Sequence, residues 1–161
     1  MKCLRLLFAV AAGLALIAAP VKTRAQDVIK IGATAPITGS LSSIYSVQGK
    51  LWDAWTQAIN EAGGIYVKSL NKKLPIKIVY YDDQSDPKVS VKFYERLINE
   101  DKVDFLMGPP GSPIAFAAST VAERYKMPMI LGAVSDPAIF SRGFKYIQGV
   151  LGPGVEWSHY L

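Results

Sequence analysis

Hydrophobic positions along this chain change their period several times, and each change marks an element. Val28 to Thr34 (VIKIGAT) is a short apolar and β-branched run, which predicts a strand. Ala35 to Gln48 is rich in Pro, Gly and Ser and predicts a long loop. From about Gly49 to Ala62 the apolar residues Leu51, Trp52, Trp55, Ile59 and Ala62 recur at spacings of three and four, as on one face of a helix. Gly63-Gly64 stops that helix. Ile65 to Lys73 reads as a connecting loop, and Pro75 to Tyr81 (PIKIVYY) as a second strand.

The second half repeats the alternation. Asp82 to Pro87 is a turn feeding a helix, with Ser85 or Asp86 able to cap it and Pro87 suited to its first position. Val91, Tyr94, Leu97 and Ile98 supply its buried stripe. Val103 to Met107 is a third strand, ended by Gly108. Pro113 to Tyr125 is a small, Ala-rich helix suited to close packing, and Pro128 to Gly132 is a fourth strand. A short turn at Ala138 to Phe140 precedes a candidate fifth strand, Tyr146 to Gln148. Near-continuous apolar strands alternating with amphipathic helices imply an α/β fold, a parallel sheet with helices on both faces. Such sheets bind ligands in the crevice at the carboxyl ends of their strands. Three loops are thereby singled out: Ala35 to Gln48, Gly108 to Ser112, and Ala133 to Asp136.

Composition narrows the function. The chain carries 18 basic and 13 acidic residues, a formal charge of +5. Lys2, Arg5, Lys22 and Arg24 account for most of the excess, and no basic block remains beyond them, so a nucleic-acid partner is not supported. The same N-terminal stretch has a short positive region, an unbroken apolar run from Leu6 to Ala19, and small residues around Thr23-Arg24-Ala25. That is the pattern of a secretory signal peptide cleaved near Ala25. As a helix the run reaches about 21 Å, short of the roughly 30 Å hydrocarbon core, and Pro20 ends it. Cys3 precedes the run, so it does not occupy a lipoprotein cleavage site, and His159 is the single histidine. Residues beyond the signal can therefore form no disulfide, no thiolate metal site and no Ser-His-Asp triad of ordinary layout; nothing asks for a cofactor.

Four segments carry a family resemblance. IGATAPITGS (Ile31 to Ser40), INEAGGI (Ile59 to Ile65), YYDDQSDP (Tyr80 to Pro87) and LINEDKVDFLMGPPGS (Leu97 to Ser112) occur in order and in register. Together they resemble the N-terminal lobe of leucine/isoleucine/valine-type periplasmic binding proteins, the class I periplasmic binding fold. The resemblance covers about Val28 to Gly152. It implies a lobe over residues 26–150, then a crossover and the start of a second, missing lobe over residues 151–161. It also implies ligand contacts by Ser112, by Ala133 and Ser135, and by an aromatic residue of the first loop. Tyr45 is the nearest aromatic, with Ile44 or Ser46 as alternatives because the loop length differs.

The residues at those positions have their own chemistry. Gly108-Pro109-Pro110-Gly111-Ser112 ends a strand and opens a helix, whose N-terminal N–H groups and partial positive charge attract anions. Ser112 can add a hydroxyl, or it can simply cap the helix opened by Pro113. The loop lacks the Lys of a phosphate-binding P-loop. Ser135 can contact a ligand or make a local turn bond, and Asp136 before Pro137 reads as a turn or cap residue. Asp82 and Asp83 are adjacent on a strand end and point to opposite faces, so a turn and helix-terminus charge explain them better than acid–base catalysis. Trp52 and Trp55 share a helical face and are expected in the core.

The leading expectation is a periplasmic component of an ABC importer, not an enzyme. It captures an amino acid or similar small carboxylate and docks on a membrane permease. The alternatives are a ligand-sensing ectodomain or regulator of the same fold and, with no nucleophile elbow, Cys nucleophile or central His to support it, a secreted α/β enzyme. The resemblance places the ammonium-binding acid in the second lobe, so this lobe alone is expected to bind weakly.

Overall fold

The structure is a computed structural model that describes residues 28–151. The expected signal peptide, most of the expected crossover and His159 lie outside the described residues.

The chain runs β1 (Ile29–Ala35), α1 (Ser42–Glu61), β2 (Ile65–Val67), a 3₁₀ turn (Lys68–Leu70), β3 (Lys72–Leu74), β4 (Ile76–Asp82), α2 (Pro87–Asn99), β5 (Phe105–Met107), α3 (Ser112–Tyr125), β6 (Met129–Leu131), α4 (Pro137–Phe140) and β7 (Ile147–Gly149). Five strands form one sheet in the order β4-β1-β5-β6-β7, every pair parallel. The sequence predicted all five of these strands. Their short apolar runs are separated by connections long enough for parallel crossovers.

Strand alternation sorts the side chains onto two faces. On one face Leu106, Met129 and Leu131 pack beneath Tyr94 and Leu97 of α2, Ala115, Ala118, Val121 and Ala122 of α3, and Ile139 of α4. The small residues of α3 let it lie close to the sheet. On the other face α1 lays Trp52 over Ala33 and Ala35, with Tyr45 and Tyr80 beside them. Near the amino ends of β1 and β4, Ile29, Leu74 and Ile76 form a smaller cluster that receives Ile59. Asp86 caps α2, accepting from Lys88 N at 2.7 Å, and Asp136 caps α4, accepting from Ala138 N at 2.9 Å. Of the two residues proposed for the α2 cap, Asp86 takes the role.

Three expectations change. The helix predicted from Gly49 begins at Ser42, so half of the predicted loop is helical. Its buried stripe starts with Tyr45 and passes through Gly49, which has no side chain to signal the period. A Cβ on Gly49 would lie 2.9 Å from Tyr45 Cζ, so the glycine makes room for that ring. The connecting loop predicted at Ile65 to Lys73 is the antiparallel hairpin β2–β3, closed by Asn71 in the left-handed conformation (φ 49°). Three-residue strands carry too little alternation to be recognised. Trp55 is 43% exposed rather than core: the sheet-facing side of α1 runs through Tyr45, Gly49, Trp52 and Ile59, and Trp55 lies at its edge.

Candidate functional site

The order β4-β1-β5 places a switch point between β1 and β5, since the chain leaves β1 for one neighbour and later returns to the other side. The two ladders of β1 end differently. β1 and β4 stay paired to Ala35 and Asp82, and Asp83 N then donates to Ala35 O (3.0 Å). β1 and β5 part after Ala33 and Met107. Gly108 N turns to Ile130 O (2.8 Å), so the loop after β5 departs with β6 and a crevice opens beside β1.

Gly108 to Ser112 forms one wall. Pro109 and Pro110 are fully buried, which stiffens the loop. Gly111 is the N-cap of α3 with φ 88°, a conformation that only glycine adopts without strain. A Cβ there would also meet Leu41 Cδ1 at 2.8 Å, so the loops after β5 and β1 touch. Ser112 is the first helical residue, and no side chain caps α3. The capping role open to Ser112 is therefore not realised. Ser112 is itself half-buried in the first turn of α3, whose unpaired N–H groups favour an anion.

The loop after β1 is pinned to the loop after β4. Thr38 donates to Asp82 through its N–H (3.1 Å to Oδ1) and its hydroxyl (2.7 Å to Oδ2). Burial alone would raise the Asp82 carboxyl, but donation from Thr38 and Gln84 outweighs it and the net shift is downward. Ser85 accepts from Leu41 N (3.0 Å) and donates to Thr38 O (3.1 Å). Asp83 points the other way and is fully buried. It accepts from the Thr34 hydroxyl (2.8 Å) and from Ser85 N (2.9 Å), while Thr34 Oγ1 lies 2.8 Å from Ser90 Oγ. Burial pushes the Asp83 carboxyl up, only partly offset by those donors. The opposed directions of the two aspartates match the strand-end argument. A turn and a helix charge do not cover Asp83, however: it is the centre of a buried polar cluster.

Ala133 and Ser135 follow β6, the neighbour of β5. Val134 between them is buried and Asp136 caps α4. The two anchors hold the loop from both sides and leave Ala133 exposed and Ser135 half-buried at the strand ends. Ser112, Ala133 and Ser135 thus sit on adjacent loops at one end of the sheet. Tyr45 is differently placed. Its ring packs against Trp52 and Tyr80, with centroids 6.5 and 6.0 Å away. Burial and the neighbouring Tyr80 push its hydroxyl up to about 12. Of the alternatives, Ile44 is exposed on α1, and Ser46 donates to Ser43 O (2.7 Å). Sequence reasoning missed Thr34, Asp83, Ser90 and Tyr94 as a group. Asp83 reads as a turn residue and Tyr94 as part of an apolar stripe, and no local pattern joins them to Thr34 and Ser90. No cluster of His, Cys, Asp and Glu suited to a metal occurs among the described residues.

Residues 28–149 match the family described as periplasmic binding protein. A leucine-, isoleucine-, valine-, threonine- and alanine-binding protein of Pseudomonas aeruginosa is 32% identical over 128 residues, covering 80% of this chain and 32% of that protein. Among solved structures, the branched-chain amino acid transporter substrate-binding protein of Streptococcus pneumoniae in complex with isoleucine has a TM-score of 0.69 at 25% identity. The match covers 78% of this chain and 34% of that one. A solute-binding protein of an ABC transporter from Rhodopseudomonas palustris, in complex with 3,4-dihydroxybenzoic acid, has a TM-score of 0.64 at 27% identity, covering 80% and 33%. The chain thus spans about a third of the length of these relatives. With the crevice at the switch point of a parallel sheet and this match over most of its length, the chain belongs to the periplasmic binding protein family, whose members are solute-binding proteins rather than enzymes.

Proposed function

We propose that this chain is the N-terminal ligand-binding lobe of an extracytoplasmic solute-binding protein serving an ABC importer. Its crevice takes the carboxylate of an amino acid or an aromatic acid, and its partner is a membrane permease. The observation that carries the reading is the Gly108 to Ser112 loop, where a rigid turn presents the N-terminus of α3 and a serine hydroxyl not used as a cap. The relatives' ligands, isoleucine and 3,4-dihydroxybenzoic acid, share only a carboxylate, which is the group such a site would hold. Ser112 would donate to it, Ala133 and Ser135 would line the adjacent wall, and Tyr45 would act by shaping the rim through its aromatic cluster. Closure of a second lobe on the ligand would shift an open–closed equilibrium and create the form that docks.

One lobe offers a ligand one wall, so its own affinity should be weak. Isothermal titration of a two-lobed relative carrying this lobe, against amino acids and hydroxybenzoates, tests the substrate class; heat from none of them would reject it. Replacing Ser112 by Ala should weaken binding about tenfold, the worth of one hydrogen bond to a charged group. A thermal-shift screen of the 161-residue chain should show little ligand stabilisation, and a large shift would reject the dependence on a second lobe.

A further inference from the structure

The last rung between β1 and β5 is held from below by one side chain of α2. Tyr94 is fully buried, and its hydroxyl touches both strands where they part. It accepts from Thr34 N at 3.2 Å and donates to Met107 O at 2.7 Å. Thr34 follows Ala33 and Met107 precedes Gly108, so the phenol joins the two residues at which the crevice opens. Beyond them each strand is committed elsewhere: Asp83 N and Ile37 N donate to Ala35 O, and Gly108 N donates to Ile130 O.

The same helix holds Thr34 a second time. Ser90, one turn before Tyr94, lies 2.8 Å from Thr34 Oγ1, which donates to Asp83. Because the Thr34 hydroxyl donates to the carboxylate, it accepts from Ser90. Backbone and side chain of one strand-end residue are thus both fastened to α2 in a water-free setting, where an unpaired group would be costly. Burial pushes the Tyr94 hydroxyl up, so it stays a donor to Met107 O at neutral pH.

We infer that Tyr94 is a positioning residue for the ligand loop: its hydroxyl pins the last β1–β5 rung and thereby sets where Gly108 to Ser112 leaves the sheet. The inference rests on the proposed carboxylate site for its functional consequence, but not for its structural one. It requires no ligand contact by Tyr94 itself.

The test compares Tyr94→Phe with Tyr81→Phe in the full 161-residue chain. Tyr81 also loses a hydroxyl bond, to Asp101 Oδ2 at 3.0 Å, and that bond touches neither Thr34 nor Met107. Amide ¹H–¹⁵N spectra are recorded well below the Tm of each variant, then titrated with isoleucine and with 3,4-dihydroxybenzoate. Tyr94→Phe is expected to move the Gly108, Gly111 and Ser112 amides and to speed exchange at Thr34. It should also weaken binding of whichever probe the wild type takes about tenfold. Tyr81→Phe should leave all of these as they are. If Tyr94→Phe lowers the Tm but leaves the loop amides, Thr34 exchange and probe affinity at wild-type values, the hydroxyl is a stabilising contact only and the inference fails. If the wild-type lobe takes neither probe, as its single wall allows, the carboxylate reading is decided by the two-lobed titration, while the loop amides and Thr34 exchange still decide the pin.

Discussion

The two faces of the sheet are built to different standards. Beneath α2 and α3 the packing is dense, with Tyr94, Leu97, Leu131 and Ile139 wholly removed from water. Beneath α1 the cover ends halfway. Phe105 and Ile130, on neighbouring strands of that face, are 49% and 53% exposed, and on α1 itself Leu51 is 63% exposed. One helix cannot span five strands, and β5, β6 and β7 have no second helix on that side among the described residues. The contrast separates what holds this lobe together from what merely belongs to its surface. It also places the polar cluster: Thr34, Asp83, Ser90 and Tyr94 lie at the crevice end of the densely packed face, where α2 can reach the strand ends.

The contrast can be broken from the dense side first. Leu97→Ala leaves a cavity under α2 and should cost about 3 kcal/mol in a chemical denaturation experiment. A loss below about 1 kcal/mol would mean that this face can collapse around the gap. Arg142→Ala comes next. Its guanidinium lies between the rings of Phe116 (4.0 Å) and Phe144 (4.2 Å) and donates to Phe116 O, Ile139 O, Ser119 and Thr120. Removing it should cost about 2 kcal/mol, because the carbonyls lose a charged donor and the rings lose their stacked cation.

Asp83 gives the same face a dependence on pH. Its native pKa lies above its ordinary 3.8, so between those two values the folded state binds more protons than the unfolded one. Its contribution is therefore greatest at acid pH and declines as pH rises through the native pKa. Asp83→Asn removes that decline. The stability difference, variant minus wild type, should move in the variant's favour as pH rises from about 3 through that window, followed by denaturation at several pH values. A difference that is flat with pH would show that Asp83 is not held in the native state as this cluster holds it. The smallest effect belongs to the bare side. The double change Phe105→Ser and Ile130→Thr should alter the stability of this chain by no more than about 0.5 kcal/mol per site. It should also reduce self-association in sedimentation experiments, since an exposed apolar patch is lost.

Much of this was legible in the amino-acid order. The five strands, the α2 stripe through Tyr94 and Leu97, and the Asp136 cap follow from periodicity and turn chemistry. These act over a few residues and need no knowledge of the rest of the chain. The strand-end location of Ser112, Ala133 and Ser135 follows as well, because a parallel sheet gathers its loops at one end. What failed was of two kinds. The start of α1 at Ser42 and the β2–β3 hairpin fell below the length at which a period can be recognised. The exposure of Trp55, the aromatic setting of Tyr45 and the burial of Asp83 depend on which distant segment lies opposite. Asp82 and Asp83 show the difference most plainly. Alternation along a strand dictated that they point apart. Only the approach of β1 and α2 decided that one would bond a loop and the other would be sealed from water with Thr34 and Ser90, because burial is a property of the partners and not of the residue.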